Sequence, residues 1–488
     1  MRLLLALVIV SALPAAPLKR EIERLLASAP MSQRAHWGIR AVRLDNGKVL
    51  YERQPRSFFT PASNTKLFST ALGLARLGPA HRFLTRVAGD AAPDAEGRLR
   101  GDLRLIGGGD PTLTARSFPY DKTGVRGEPL RAIEELAAQV AARGVRVIDG
   151  DIAGDDRAYP WEPYPDGWGI QDVVWEYGAP VSALTINDNA VRLRVRPAAP
   201  GQSAIVSLDP AIDHYVIHDR VLTVDCGDGR VDVDRLPGSN ELRITGSLRA
   251  GGIGYSTLIA IDDPALYGAR ALREALVRRG IVVRGHAKAL HRLPGEAAPG
   301  PPAPGTVLAT RESPPLAEIL KVIDKVSQNL YAELVLREVA RVKRGDGSRP
   351  AALEEMRAFL AEAGIAKEDY RLEDGSGLSR LGLITPEVVT ALLAHMAKSP
   401  HAEVWFDLLP VAGVDGTLEN RFKDAPEPAR RIAAKTGSLS HVNALGGYAV
   451  NRKGRRIAFS IVVNAYRGSA SEARGIIDKI AVLFANSD

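Results

Sequence analysis

The spacing of apolar residues predicts a mixed α/β (α+β) chain, in which amphipathic helices alternate with short strands. Alternating runs at 37–44 and 49–51 flank an Asp-Asn-Gly turn and predict a β-hairpin. Near the other end, 444–450 and 457–463 predict two strands, followed by a helix that begins at Ser471. We therefore predict that strands from both ends of the chain share one antiparallel sheet, with the first and last helices packed together.

The middle of the chain, from about 85 to 310, is predicted to interrupt this sheet as a long insertion. Residues 130–150 and 267–285 resemble each other, because each has an amphipathic helix, an Arg-Gly stop and then a strand. Two such units predict one subdomain assembled from separated halves. Between them, from about 180 to 245, short alternating runs predict a small all-β module, and the Pro/Gly/Ala-rich residues 294–304 predict a linker.

The start of the chain resembles a secretory signal peptide. Arg2 places one positive charge before the apolar run 3–13, which ends in small residues and is too short to span a bilayer comfortably. We predict export with cleavage of this segment, and an uncleaved interfacial anchor is the alternative. Cys226 is the single cysteine, which excludes an intrachain disulfide and a thiolate metal cluster. Export without disulfides predicts a bacterial periplasm or cell surface.

Length and composition set the number of domains and exclude some classes of protein. A chain of 488 residues is too long for one core. The net charge of +7 is spread without a dense basic run, which argues against nucleic-acid binding and leaves a weak attraction to an anionic polymer as the alternative. The predicted segments are a signal peptide (1–16), a sheet domain in two parts (17–85 and 301–488), an insertion domain in two parts (86–180 and 246–300) and a nested β-rich domain (181–245).

Three short motifs in a fixed order carry the candidate chemistry. They are S-x-x-K at 63–66, S-x-N at 327–329 and K-T-G at 435–437. This set is the pattern of serine acyl-transferases that act on penicillins or D-alanyl peptides. A second K-T-G at 122–124 lies among Pro, Asp and Gly residues typical of a loop, whereas strands are predicted directly after the copy at 435–437. The later copy is therefore interpreted as the functional one.

The first and third motifs predict a nucleophile, its base and a receptor for a carboxylate. Ser63 and Lys66 are three residues apart at a predicted helix start, so a neutral lysine can take the serine proton. Burial or the nearby cation of Lys435 can make that lysine neutral. Lys435 and the Thr436 hydroxyl form a natural receptor for a terminal carboxylate. The backbone N–H groups of Ser63 and Ser438 are predicted to form an oxyanion hole, at about 3 kcal/mol per donor.

The second motif lies between two predicted helices, at 315–326 and from about 330 to 342. This break exposes the Ser327 hydroxyl and the Asn329 amide to a cleft. Ser327 is predicted to relay a proton between the base and the leaving amine, and Asn329 to bond to a substrate amide. The alternative, taken on this motif alone, is a pair of N-capping residues for the second helix.

The motifs together resemble the D-alanyl-D-alanine carboxypeptidase/endopeptidase family of low-molecular-mass class C penicillin-binding proteins. The resemblance covers nearly the whole mature chain and includes the stretches 108–113 and 374–379 and the long insertion between the first two motifs. It implies a transpeptidase/β-lactamase-like domain, which has an antiparallel sheet with helices on both faces. It also implies that this domain is interrupted by two further domains, one nested within the other.

The resemblance also implies the roles of individual residues. It implies a reaction that uses no metal or organic cofactor. Asp155 resembles the insertion acid that contacts a free amino group of the substrate, and Asp156 is the neighbouring alternative. By motif, the implied catalytic residues are Ser63, Lys66, Ser327, Asn329 and Lys435, and the implied substrate-binding residues are Thr436, Gly437, Ser438 and Asp155.

The predicted function is that of a serine D-alanyl-D-alanine carboxypeptidase with added DD-endopeptidase activity. It would hydrolyse D-Ala peptide bonds of peptidoglycan stem peptides through an acyl-enzyme at Ser63, and β-lactam antibiotics would acylate it covalently. The alternatives are a β-lactamase or esterase on the same scaffold, or a non-catalytic peptidoglycan-binding protein. Peripheral membrane association and homodimerisation stay open.

Overall fold

The computed structural model describes residues 18–124, 126–303 and 305–488. The predicted signal peptide at 1–16 therefore lies outside the described residues. No helix within the three described ranges has the length and apolarity needed to cross a bilayer. The α-helices of these ranges are, in chain order, α1 (Leu18–Ser28), α2 (Lys66–Leu77), α3 (Arg131–Ala142), α4 (Pro264–Arg278), α5 (Leu316–Val326), α6 (Asn329–Arg344), α7 (Arg349–Glu362), α8 (Pro386–Met396), α9 (Ala402–Leu408), α10 (Pro426–Ala429) and α11 (Ala470–Ala485).

The strands form two five-stranded sheets, one of them wholly antiparallel, and smaller sheets of two or three strands. In chain order they are β1 (His36–Arg43), β2 (Val49–Arg53), β3 (Leu84–Gly89), β4 (Arg98–Leu99), β5 (Leu103–Ile106), β6 (Val147–Ile148), β7 (Ile152–Asp155), β8 (Ala190–Arg196), β9 (Ile205–Asp209), β10 (Val216–Val224), β11 (Arg230–Asp234), β12 (Glu241–Arg249), β13 (Tyr255–Ala260), β14 (Val282–Val283), β15 (Ala287–Leu290), β16 (Val307–Glu312), β17 (Tyr370–Arg371), β18 (Leu383–Ile384), β19 (Ile432–Leu439), β20 (Val442–Val450) and β21 (Arg456–Asn464).

The main sheet joins strands from both ends of the chain, in the order β19-β20-β21-β1-β2. All of its pairs are antiparallel, and β1 pairs with β21 along its whole length, with Ile39 opposite Ile461. Side chains alternate between the two faces of a strand. On β21, Phe459 and Ile461 pack towards α1 and α11, whereas Ala458 belongs to the core that contains α2 and α8. The predicted hairpin and the predicted shared sheet are both confirmed.

The helix that packs against α11 is α1, which the apolar pattern did not predict. Ile22 and Leu26 are buried one helical turn apart and form a narrow apolar stripe in an otherwise charged segment. The first predicted helix, at 61–77, corresponds to α2 and the short 3-10 helix Ala62–Thr65 before it. Because α2 packs in the core on the opposite face of the sheet, the expectation that it packs against the last helix is wrong.

The insertion begins and ends on two neighbouring strands, since β3 and β16 pair antiparallel. They belong to a five-stranded sheet of order β15-β7-β5-β3-β16. The two similar units at 130–150 and 267–285 come together as predicted, because α3 packs against α4 and β6 pairs in parallel with β14. The next strands, β7 and β15, pair in parallel as well. One subdomain is thus assembled from separated halves.

The β-rich part of the insertion contains two three-stranded sheets, of order β13-β8-β9 and β10-β12-β11. The predicted boundary at 245 falls inside β12, since a strand continues through Gly246 to Arg249. Gly246 allows a close approach inside this strand, because a Cβ atom there would lie 1.9 Å from the carbonyl oxygen of Arg230. The other predicted domain boundaries stay predictions.

Three helices build the floor on which the three motifs meet. α2 is buried on nearly all sides and packs against α5 and α6. Gly73 allows the closest of these contacts, because a Cβ atom at this position would lie 2.6 Å from Cγ1 of Val335. A helix buried all round is fixed by packing rather than by its own helix propensity. The side chains at the start of α2 therefore have a rigid support.

Candidate active site

The turn Ala62–Thr65 and the start of α2 place the two residues of the first motif side by side. The ammonium nitrogen of Lys66 donates hydrogen bonds to Ser63 Oγ at 2.9 Å, Asn329 Oδ1 at 2.6 Å and the carbonyl oxygen of Ser376 at 2.7 Å. Lys66 has no exposed surface. The three acceptors occupy its three donor positions, so Nζ is held directly against the serine oxygen.

The turn at 374–379 supplies one of these acceptors. Gly377 has a φ of +79°, and a Cβ atom there would lie 1.9 Å from the carbonyl oxygen of Ala62. Only glycine permits this approach between the turn and the serine. The buried Glu333 carboxylate accepts the N–H of Ser376 at 2.8 Å and that of the preceding residue at 2.9 Å. The Gly-Ser-Gly pattern predicts a turn at this place, but not its contact with Lys66.

The second motif lies where α5 ends and α6 begins. Ser327 has a φ of 66°, a left-handed conformation that ends α5 and is costly for a residue other than glycine. Its Oγ accepts a hydrogen bond from Lys435 Nζ at 2.9 Å. The Asn329 amide is used at both ends, with Oδ1 on Lys66 and Nδ2 donating to the carbonyl oxygen of Tyr177 at 2.7 Å. The Asn329 side chain thus positions Lys66. Its predicted hydrogen bond to a substrate amide requires Nδ2 to leave the carbonyl oxygen of Tyr177.

The third motif lies on β19, an edge strand of the main sheet. Lys435 is fully buried, and its Nζ bonds to Ser327 and to the carbonyl oxygen of Thr436 at 3.0 Å. Gly437 brings the strand against the first motif, because a Cβ atom there would lie 2.7 Å from the carbonyl oxygen of Pro61. The other K-T-G copy, at 122–124, lies in an irregular segment, as its neighbours predict.

The free edge of β19 offers backbone N–H groups to the serine. The N–H of Ala434 donates to the carbonyl oxygen of Pro410 at 2.9 Å, away from β20. In an antiparallel strand the N–H groups of alternate residues share a direction. The N–H groups of Thr436 and Ser438 therefore face the same edge, and both residues line a cavity with Ser63. This geometry suits an oxyanion hole formed by the N–H groups of Ser63 and Ser438.

Two buried ammonium groups decide the electrostatics of the site. Burial, and then the positive charge of Lys435, lowers the pKa of Lys66 to about 7, against the opposing effect of Asp374, Glu333 and Asp324. Burial also lowers the pKa of Lys435 to about 8, and Asp324 opposes that change. Lys66 can therefore be neutral near neutral pH while Lys435 keeps its proton, which is the combination that a base next to a cation requires.

The serine opens into a cavity of about 630 Å³ with two distinct walls. Hydroxyl groups form the wall beside the motifs, and the Thr436 hydroxyl donates to that of Thr417 at 2.9 Å. The rest of the lining carries the cations Arg421, Lys423 and Arg474, of which Arg421 is paired with Asp478. The hydroxyl lining consists of Ser63, Ser327, Thr417, Thr436 and Ser438, and the charged lining consists of Arg421, Lys423, Arg474 and Asp478.

The structure does not bring Asp155 to this cluster. Its buried carboxylate accepts two hydrogen bonds from the Arg157 guanidinium, at 2.9 and 2.6 Å. It lines a different cavity, together with Arg341, which is twelve positions after Asn329 on α6 and thus about 18 Å along that helix. Asp156 is also buried and engaged, by His291. The resemblance of Asp155 to the insertion acid depended on a short stretch of sequence. In the structure this stretch is β7, an internal strand of the insertion that ends at Asp155.

A different part of the insertion reaches the motifs. We call residues 166–178 the insertion loop. The carbonyl oxygen of Tyr177 accepts the second-motif amide, and its hydroxyl donates to Asp172 Oδ1 at 3.2 Å. The Trp168 indole donates to the Asp374 carboxylate at 3.0 Å. The sequence analysis missed this loop, for which the only signal was a run of aromatic and acidic residues between predicted elements.

Two histidines of the insertion, His214 and His291, are paired with carboxylates. His214 bonds to Asp262 at 2.8 Å, and His291 lies between Asp156 and Asp263. Across the described ranges, no three or more His, Cys, Asp or Glu side chains are arranged to hold a metal ion.

Two comparisons with known proteins place the chain among carboxypeptidases. The family model for the D-Ala-D-Ala carboxypeptidase 3 (S13) family matches residues 18–487. A D-alanyl-D-alanine carboxypeptidase of Actinomadura sp. strain R39 is 35% identical over 480 residues, which cover 96% of this chain and 84% of that protein.

Solved structures agree on the fold. The crystal structure of penicillin binding protein 4 from Haemophilus influenzae superposes with a TM-score of 0.81 at 24% identity, over 96% of this chain and 99% of that one. The same protein complexed with a novel β-lactam gives 0.75 at 23% identity, over 95% and 98%. The predicted fold class is confirmed. With a family model that spans nearly every described residue, this chain belongs to the D-Ala-D-Ala carboxypeptidase 3 (S13) family.

Proposed function

We propose that this protein is a serine D-alanyl-D-alanine carboxypeptidase, which releases the terminal D-Ala of peptidoglycan stem peptides through an acyl-enzyme at Ser63. The observation that carries the proposal is the 2.9 Å contact between Ser63 Oγ and a buried lysine whose pKa lies near 7. Membership of the family supports the same reaction. The test is whether a penicillin leaves a covalent adduct on Ser63 and whether a pentapeptide loses D-Ala.

Acylation begins with transfer of the Ser63 proton to neutral Lys66. The serine oxygen then attacks the carbonyl carbon of the penultimate D-Ala, and the developing oxyanion is held by the N–H groups of Ser63 and Ser438. The new positive charge on Lys66 is stabilised by the oxygens of Asn329 and Ser376 that already accept its hydrogen bonds. Proton transfer therefore needs no rearrangement of the lysine.

The leaving amine takes its proton from the side of the second motif. The Ser327 hydroxyl lines the cavity and is bonded to Lys435, so it is placed to donate to the amine and be reprotonated through the cluster. In net terms the proton of Ser63 ends on the amine of the released D-Ala. Water then enters, gives a proton to Lys66 and attacks the acyl carbon. Lys66 passes that proton to Ser63 Oγ as the ester C–O bond breaks, which leaves the product acid and free Ser63.

The terminal carboxylate is received by hydroxyl groups, with the cation behind them. Lys435 has no exposed surface, whereas Thr436 and Thr417 line the cavity and are bonded to each other. The Lys435 ammonium bonds to the carbonyl oxygen of Thr436, so its charge lies directly behind this wall. Direct contact between Lys435 and the carboxylate, as the sequence suggested, is therefore replaced by hydroxyl contacts and a longer-range charge effect.

The insertion loop supports recognition of a free amino group on the stem peptide. Asp172 is partly exposed, and its carboxylate is held by the Tyr177 hydroxyl and by the N–H of Gly169 at 3.1 Å. Since Tyr177 also contacts the second motif, this acid is connected to the site, whereas Asp155 is not. The proposed insertion acid is therefore Asp172.

Asp172→Asn is expected to raise KM about tenfold for a pentapeptide with a free side-chain amine, because a hydrogen bond to a charged group is lost. For the same peptide acetylated on that amine, the wild type and the variant should have equal KM values. Steady-state release of D-Ala from the two peptides gives the comparison. Asp155→Asn is the matched control and should leave the ratio of the two KM values unchanged. An equal rise for both peptides in Asp172→Asn would contradict the assignment.

Cleavage of cross-links is the second proposed activity, and the cationic residues that line the cavity favour it. In a cross-linked dimer the leaving group is another stem peptide, which carries free carboxylates. Lys423 and Arg474 line the same cavity as Ser63, while the charge of Arg421 is already balanced by Asp478. Two cations in the cavity that holds the reacting serine suit an acidic peptide.

The double variant Lys423→Glu/Arg474→Glu is expected to cleave a cross-linked muropeptide dimer about tenfold more slowly, because each exposed charge contributes up to about 1 kcal/mol. Release of D-Ala from a monomeric pentapeptide should change much less. Chromatography of both digestions gives the ratio of rates, and 0.5 M salt should reduce the difference by screening. Lys453→Glu, on the exposed turn between β20 and β21, is the control. An equal loss on both substrates would exclude a separate subsite.

The location and the other partners follow from the same proposal. A carboxypeptidase of this family acts on the cell wall, outside the cytoplasm, which agrees with the predicted export. β-Lactams are proposed to acylate Ser63 as substrate analogues, and the solved relative in complex with a β-lactam supports this. Periplasmic residence, peripheral membrane association and homodimerisation stay predictions from the sequence.

A further inference from the structure

A buried carboxylate in the middle of the site has no place in the reaction described above. Asp324 lies on α5, three residues before Ser327, and has no exposed surface. Neither of its oxygens accepts a hydrogen bond from any residue that the structure describes. The neighbouring Lys325 is engaged elsewhere, with Asp415 at 2.6 Å. Burying a carboxylate without hydrogen-bond donors costs free energy, so a functional reason for Asp324 at this position is expected.

The charges around Asp324 come from three elements. Burial raises the pKa of Asp324 to about 7, and among the cations that oppose this change Lys435 on β19 has the largest effect, followed by Lys66 on α2 and by Lys325 on its own helix. The Thr70 hydroxyl on α2 is close as well, but donates to the carbonyl oxygen of Lys66 at 2.7 Å. The carboxylate therefore experiences two catalytic ammonium groups, and that of Lys435 more strongly.

Charged groups on the other elements packed on α5 have hydrogen-bond or ion-pair partners of their own. On α9, Asp407 pairs with Lys321 at 2.5 Å, and near the 3-10 helix Gly416–Leu418 the Asp415 carboxylate pairs with Lys325. On α6, Glu333 is held by the N–H groups of the 374–379 turn. For Lys435, Asp324 is the charge that opposes the effect of burial.

We propose that Asp324 is a positioning residue of the reaction, whose carboxylate keeps Lys435 protonated while Lys66 is neutral. Two buried lysines at one site repel each other's charge, and a carboxylate shared equally would favour neither state. Because the carboxylate interacts more strongly with Lys435 than with Lys66, it favours the state in which Lys435, the lysine bonded to Ser327, carries the single positive charge. The protonated Lys435 in turn keeps Lys66 deprotonated, so Asp324 acts on the base through the second lysine.

This proposal rests on the proposed function and differs from a purely structural role. If Asp324 only filled space, a neutral side chain of similar size would change stability but not the pH dependence of the reaction. If it sets the protonation of Lys435, removing its charge lowers the pKa of that lysine. The cation is then lost at a lower pH, and the alkaline limb of the rate profile moves in the acid direction.

The test is the rate of acylation by a penicillin between pH 5 and pH 10 for wild type, Asp324→Asn and Asp324→Glu. We expect the alkaline limb of Asp324→Asn to lie about one pH unit lower, with acylation about tenfold slower at pH 9 and within threefold of wild type at pH 7. Asp324→Glu retains the charge and should return the limb towards the wild-type position. Asp324→Leu, which buries no polar group, has the same expectation as Asn and serves if the Asn variant does not fold.

An alkaline limb in Asp324→Asn or Asp324→Leu that superimposes on the wild-type limb would overturn the proposal. A matched Lys325→Gln variant, which removes the neighbouring charge, should leave the limb in place. Failure of the wild type to be acylated would instead refute the serine mechanism itself. The two failures are thus distinguished by the wild-type measurement alone.

Discussion

Ser63→Ala is expected to abolish the covalent penicillin adduct and to lower the release of D-Ala by roughly 10⁴-fold or more. The reason is that Lys66 has no second nucleophile to activate: its other hydrogen-bond partners are the amide oxygen of Asn329 and the carbonyl oxygen of Ser376. The measurements are intact-protein mass after incubation with a penicillin, and D-Ala released from a pentapeptide.

The control for this variant is Ser57→Ala, which changes an exposed serine six residues earlier and should keep full activity. An adduct that persists on Ser63→Ala would place the nucleophile elsewhere. Rapid hydrolysis of nitrocefin by the wild type without release of D-Ala would favour a β-lactamase, and binding of muropeptides with neither reaction would favour a non-catalytic protein.

Lys66→Met is expected to slow acylation by roughly 10³-fold, since methionine fills similar space but cannot take a proton. In the wild type the rate should rise about tenfold per pH unit below pH 7 and level off just above it, before the alkaline limb at which Lys435 loses its proton. The sign follows from the base: only neutral lysine accepts the Ser63 proton, and the neutral fraction grows as pH approaches the pKa of about 7. Stopped-flow acylation from pH 5 to pH 9 measures this profile.

The Met variant should have lost that dependence on pH between 5 and 7. It also leaves the oxygens of Asn329 and Ser376 without their donor, so a loss of about 1–3 kcal/mol in stability is expected, and thermal unfolding checks that the protein is folded. Lys453→Met on an exposed turn is the control. A wild-type rate that is flat from pH 5 to pH 7 would be incompatible with Lys66 as the base.

The sequence predicted those parts of the fold whose pattern is local. The hairpin around Gly47, the last two strands and the break between α5 and α6 were all marked by period and by turn residues, and the repeated helix-strand unit revealed the paired halves of the insertion. α1 was missed because its apolar stripe contains only Ile22 and Leu26 among charges, so its helix is defined by what it packs on.

The motifs predicted the site to the extent that chemistry lies in adjacent residues. Ser63 and Lys66 share one turn, so their contact followed from spacing. The contacts of Lys66 with Ser376, and of Asn329 with Tyr177, join segments far apart in the chain, and no period or motif encodes them. Asp324 lies inside an apolar-periodic helix, where its burial beside two lysines depends on how three elements pack.

The bond between the Asn329 amide and Tyr177 has a consequence for the timing of activity. Domains fold as units, and a chain emerges from its N-terminus first. Ser63 is therefore made early, and the groups around its base follow in chain order: Tyr177 in the insertion loop, Asn329 on α6, Ser376 and finally Lys435 on β19. Until the last of these has docked, the serine is an ordinary hydroxyl at the start of a helix. The scattering of the motifs along the chain thus delays assembly of the site until its C-terminal strands are in place.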